Sequence, residues 1–347
     1  MSLKYEFPTG YFTMNDRVEE ILKNDKGKEV LDVYFKNFYP HPRFQLLKRM
    51  PLGTVCKISS LIPEDERLKI SEKINKIKKI NDGILQIKVL SKDNEELAHS
   101  EGEMAISLTY ESEYVSGDRI EITVDRAKFV EIKIDDYVQS TIVFVPKGKF
   151  VFTIPFDENR WAYHFCAFEG EKHQISVKNI DVSILKSRRN LALNSLDQRE
   201  PQNTYPHAWT NFVTHDAGYF EAKNAIDGIV INDGHGPYPF QSWGSDKRDD
   251  IEFKLEFGRR VAVDEVVLYL RFDDIDNHDV NWETGVLEFS DGGTLEISMA
   301  YTPKGQSYRF EEKTIEWVKL HSLKKVSDEF AALSQIEVYG YETDESI

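Results

Sequence analysis

Arg189-Asn-Leu-Ala-Leu-Asn194, Asn224-Ala-Ile-Asp-Gly228, Gln241-Ser-Trp-Gly244, Leu287-Glu-Phe-Ser-Asp-Gly292 and Ile336-Glu-Val-Tyr-Gly340 follow one another through the C-terminal part of the chain. Each phrase marks a strand or a turn. Asp227-Gly228 reads as a turn, because glycine accepts positive φ at little steric cost and aspartate bonds its own backbone. Val286-Leu-Glu-Phe289 and Thr294-Leu-Glu-Ile297 flank Ser290-Asp-Gly-Gly293 and alternate apolar with polar positions, the period of two half-buried strands joined as a hairpin. Ile336, Val338 and Tyr339 are expected to return beside the first strands of this unit.

Upstream, from Gly83 to about Asn179, short strands are predicted at Ile84 to Leu90, Met104 to Tyr110, Ile120 to Val124, Val130 to Ile134, Thr141 to Val145, Phe150 to Phe156 and Gln174 to Val177. Turn signals at Ser116-Gly-Asp118, Pro146-Lys-Gly148 and Glu169-Gly170 separate them. Many short strands at regular spacing point to an antiparallel sandwich or jelly roll. Asp157-Glu-Asn-Arg-Trp-Ala-Tyr-His-Phe165 is the aromatic loop of this unit, open to two readings: a ligand face or a buried edge.

Before residue 83 the period changes to that of helices. Val18, Ile21 and Leu22 fit one face, Val30 to Phe38 a second and Phe44 with Leu47 a third. Pro63, then Glu64, Asp65 and Glu66, open a further helix whose stripe is Ile70, Ile74 and Ile77. The chain is therefore expected to be mainly β. Two tandem antiparallel β-sandwiches should follow an α-helical N-terminal region, with boundaries at 1–82, 83–188 and 189–347. The helical region reads as an attachment or oligomerisation element.

The 347 residues leave ample chain for several cores, and a formal net charge of −16 argues against nucleic acid, whose phosphates need a basic patch. Lys186-Ser-Arg-Arg189 reads as a linker, and the lysines from Lys73 to Lys79 as a solvated helix face. Two cysteines, Cys56 and Cys166, suggest neither a disulfide framework nor a Cys-rich metal site. No segment reaches the length of a membrane span and no signal peptide is visible, so a cytoplasmic protein is the default expectation, with secretion open if the native N-terminus differs. Nucleophile elbow, His-Glu-x-x-His and phosphate-loop patterns are lacking.

The phrases quoted first, in their order, resemble discoidin-type (coagulation factor C-domain-like), galactose-binding-like carbohydrate-binding modules over residues 189–347. The resemblance implies a β-sandwich whose loops bind a glycan at one end and a non-catalytic role, with association with a carbohydrate-active enzyme as a further expectation. Sugar recognition needs planar charged groups for paired hydroxyls and a ring to stack on. The loops Ile231 to Phe240 and Arg271 to Trp282 supply them as His235, Tyr238, Arg271, Asp273, His278, Asp279 and Trp282. Tyr205, His207, Trp209 and His215 form a second polar and aromatic group. Trp243 matches a tryptophan that is structural in the family.

The resemblance also implies a structural calcium ion, held by Asp227, by Asn232 or Asp233, and near the last strand by Gln335, where the family commonly carries Glu. That replacement removes one negative charge from an oxygen set a hard cation needs. Two other functions stay open: a glycan-active enzyme with its site between the sandwiches, using carboxylates among Asp273, Asp274, Asp276 and Asp279, and an assembly or adhesion subunit.

Overall fold

Apolar residues three and four apart give the N-terminal helices one inward face. The computed structural model describes residues 11–58, 62–77, 84–124, 128–201, 203–244, 246–273 and 280–346. Its first helices are α1 (Val18–Lys23), α2 (Asp25–Phe35), α3 (Pro42–Leu47), α4 (Leu52–Ile58) and α5 (Glu64–Ile74). Pro63 stands at the N-cap of α5, three carboxylates occupy its first turn where the helix dipole favours them, and Ile70, Ile74 and Ile77 are buried. Helix α4 escaped the periodic reading because Gly53 and Thr54 dilute it, yet Leu52, Val55 and Cys56 join the same core. Among the described residues no helix is long and apolar enough to cross a membrane.

Residues 1–82 form one unit and residues 83–347 a second. Within the second unit, β1 (Leu85–Leu90), β2 (Glu96–Gly102), β3 (Ala105–Tyr110), β4 (Arg119–Val124), β5 (Lys128–Lys133), β6 (Thr141–Val145), β7 (Lys149–Thr153) and β8 (His173–Asn179) build two antiparallel sheets, in the orders β2-β1-β4-β7 and β3-β8-β5-β6. Alternate residues such as Ile120, Ile122 and Val124 on β4 face Ile175 and Val177 on β8 across a shared core. This is the first sandwich expected from the sequence.

The second module is one sheet of eight strands: β9 (Arg189–Asn190), β10 (His207–Thr210), β11 (Trp243–Gly244), β12 (Phe253–Leu270), β13 (Trp282–Phe289), β14 (Thr294–Ser298), β15 (Gln306–Lys325) and β16 (Ala332–Glu342). The expected hairpin forms between β13 and β14, with Glu288 opposite Thr294. The expected return strand pairs Tyr339 with Asn190, whose Oδ1 accepts from the amides of Ala192 (3.0 Å) and Val338 (3.1 Å). The pairing of β12 with β15 shifts register at Glu256/Val261 and Val263/Glu265, irregularities that interrupt this long strand.

The two β modules are bonded to each other. Phe144 and Tyr205 exchange backbone hydrogen bonds of 3.0 Å, and the Ser195 hydroxyl donates to the Gln139 carbonyl at 2.6 Å. The Arg259 guanidinium lies 4.9 Å from the Phe129 ring centre and donates to Glu342 at 2.7 and 2.6 Å in a buried fork. The stretch read as a linker is tied down by charge: Lys186 pairs with Asp344, Arg188 with Asp264 and Glu265, and Arg189 with Glu342.

Candidate functional site

Strand β12 ends at Leu270, and the loop that follows is fastened to the loop of residues 231–240. The Phe272 amide donates to the Asn232 carbonyl at 2.6 Å, and the Asn232 side-chain NH2 donates to the carbonyls of Leu270 (2.7 Å) and Pro303 (3.1 Å). This clamp brings together residues far apart in sequence. Asp273 Oδ2 accepts from His235 Nδ1, which orients the half-exposed imidazole, and the Tyr301 ring packs at a tilt against Phe272, 4.4 Å between centres.

His235 and Arg271 line one recess of about 420 Å³ with His215, Tyr219, Phe330 and Asp246. Arg271 and Asp273 are 5% and 7% exposed, so both charged groups are largely buried while the imidazole is half-exposed. His215 in the wall and Asp216 after it both hold φ of 53°, a conformation disfavoured for L side chains. A pocket of this size, walled by rings and offering a few fixed polar groups, suits a small polar ligand with an apolar face.

Of the residues picked from the sequence, His235, Arg271 and Asp273 meet here. Tyr238 faces elsewhere: its amide donates to the Trp161 carbonyl at 2.7 Å and its side chain lines a neighbouring recess. Trp282 is corrected to a core residue, 0% exposed, its ring 5.7 Å from that of Trp243, so neither face is available to a sugar. His278, Asp279, Asp274 and Asp276 lie outside the described residues. In the second polar and aromatic group His207 is buried on Asp197 (2.8 Å) and only His215 reaches the recess. Tyr219 and Phe330 were missed, since a single ring in an irregular loop carries no periodic signal.

Three of the four residues assigned to calcium have other partners. Asp227 accepts from the Ile229 amide (2.8 Å) and from the Gln241 amide side chain (2.7 Å). Gln335 Oε1 accepts from the Gly228 amide (3.2 Å), at the Asp-Gly turn where Gly228 takes φ of 91°. Asn232 is the clamp just described, and Asp233 is exposed. No group of three or more His, Cys, Asp or Glu side chains converges as a metal cage among the described residues.

Where the two modules meet, Tyr163, Lys223, Asn224, Asp227 and Gln241 line a cavity of about 50 Å³, room for a water molecule and too small for a pyranose. Lys223 lies 4.6 Å from the Tyr163 ring centre. Burial pushes the Asp227 carboxyl up to about 7, against the pull of the Gln241 hydrogen bond, the Ile229 amide and the Lys223 charge.

Residues 208–339 match a family described as a domain of unknown function (DUF7402). A comparison with curated proteins gives no match. Solved structures similar to this chain include carbohydrate-binding modules, lectin domains and a GH29 fucosidase of Ruminococcus gnavus, of which the match covers 28%. Chitosan-binding module 1 from the chitosanase/glucanase of Paenibacillus sp. IK-5 is 19% identical over 44% of this chain and 99% of that one, with a TM-score of 0.30. A fucose-binding module of Streptococcus pneumoniae is 13% identical over 44% and 99%, with a TM-score of 0.33. The family 32 carbohydrate-binding module of C. perfringens NanJ, solved with galactose, is 16% identical over 38% and 91%, with a TM-score of 0.30.

Proposed function

We propose that the C-terminal module binds a glycan, without turning it over, in the recess of His235 and Arg271. One observation carries this reading: loops fastened by Asn232 bring a carboxylate-oriented imidazole and a guanidinium into one wall with the rings of Tyr219 and Phe330. Planar charged donors suit adjacent hydroxyls, and ring faces suit the C–H face of a pyranose. The Asp273 carboxylate orients His235 and is thereby committed to a positioning role. On this reading the module holds a sugar, on its own surface or for a catalytic partner.

A glycan array probed with the full chain and with His235→Ala and Arg271→Ala variants tests the reading. The wild type should give a defined set of sugars and both variants should lose it. Equal signals from all three proteins would remove the site.

A further inference from the structure

We propose that the binding surface continues from this recess onto the loop after β7 of the first sandwich, and that it takes a neutral oligosaccharide of two or more residues. The inference rests on the reading of the His235 recess and extends it.

A second recess, of about 530 Å³, is lined by Arg160, Trp161, Phe165, Pro237 and Tyr238, and Pro237 is shared with the first. The bridge between them is a ring pair. Trp161, from the 3-10 segment Asp157–Ala162, stacks on Tyr219 in the wall of the first recess, with ring centres 6.1 Å apart and planes 18° from parallel. A glycine makes the approach possible: a Cβ on Gly218 would lie 2.8 Å from Asn159 Cα. The two modules therefore build one surface.

Its rings are left in water. Trp161 is 49% exposed and Phe165 78%, and Phe165 stacks at 4.3 Å on His164, which in turn stacks at 4.8 Å on the exposed Tyr137. Large exposed rings gathered around one recess mark a contact surface, since isolated ones are normal and clusters are not. Charge selects the occupant. The Arg160 guanidinium is spent on Glu169 and on the carbonyls of Ala167 and Phe165, and the chain carries a net charge of −16. An anionic glycan would find no cation offered to it in this second recess and a repulsive field around it. A neutral chain of pyranoses presents C–H faces at successive residues, which suits rings in adjoining recesses.

The test titrates the full chain with galactose, glucose and N-acetylglucosamine, each as the monosaccharide and as linear oligosaccharides up to six residues. Affinity should rise roughly tenfold between the monosaccharide and the trisaccharide of one series. The Tyr137→Ala/Phe165→Ala variant, which leaves the Trp161–Tyr219 pair in place, should lose much of that gain and keep the monosaccharide affinity, and Phe165→Tyr should restore part of it. Both rings are exposed, so the double variant should fold, which a melting curve checks.

Affinity independent of length, or a gain that survives in the double variant, would overturn the extension while leaving the first recess standing. Failure of every probe with folded wild type would overturn both.

Discussion

Asp273 of the loop after β12 accepts a hydrogen bond from His235 Nδ1, joining two loops that are 38 residues apart in sequence. The carboxylate is almost wholly buried and the imidazole half-exposed, so one residue orients and the other is presented. Asp273→Asn keeps the shape and removes the charge that holds the ring. Its affinity for the array-selected sugar should fall about tenfold with an unchanged melting temperature. Unchanged affinity would mean that the ring's orientation does not matter to binding.

Trp282 belongs to the core beside Trp243, so its removal should act on stability. Trp282→Ala should cost about 3–5 kcal/mol in denaturant unfolding. All five tryptophans lie beyond residue 83, so their fluorescence reports on the β modules alone. A variant that unfolds like the wild type but no longer binds sugar would return Trp282 to the site.

The fork between Arg259 and Glu342 is buried against Phe129 and Phe144 of the first sandwich. Glu342→Gln leaves a buried guanidinium without its counter-charge, and Arg189 beside it is already held down to about 10 by burial. The variant should lose about 3–5 kcal/mol. A double variant that also carries Arg259→Met should regain much of that loss, because the uncompensated charge is gone.

The Asp227 carboxyl gives stability a defined pH dependence. Its ordinary value is near 4 and burial raises it to about 7 in the folded chain. Between those values the unfolded chain has released the proton and the folded chain still holds it. Stability is therefore complete below about pH 4, falls as pH rises toward 7 and then levels off. Asp227→Asn cannot titrate, so its melting temperature should be the flatter of the two across this window. Parallel curves would show that Asp227 ionises in the folded chain much as it does in the unfolded one.

Much of the fold was legible because burial alternates along the strands. Ile120, Ile122 and Val124 announce β4, and Ser290 to Gly293 announces the β13–β14 turn. Strand β2 was not, since Glu96–Gly102 is a polar edge strand with no buried face to leave a pattern. In the site, His235, Arg271 and Asp273 stood out as polar types in loops after strands. Trp282 misled because an aromatic at a strand start reads alike whether it faces core or ligand. Phe330 and Tyr219 were invisible because only the folded loops bring them beside His235. The calcium set followed from the family resemblance, and each side chain's partners are decided by tertiary contacts such as the Asn232 clamp. With these oxygens already hydrogen-bonded, a chelator should leave the melting temperature unchanged, and a fall of several degrees would show that the ion is bound.

The most direct measurement is a crystal structure of the chain with the sugar selected by the array. The account predicts a pyranose in the recess, its hydroxyls bonded to His235 and Arg271 and one face against Phe330 or Tyr219. A sugar bound elsewhere, with that recess unchanged, would contradict it.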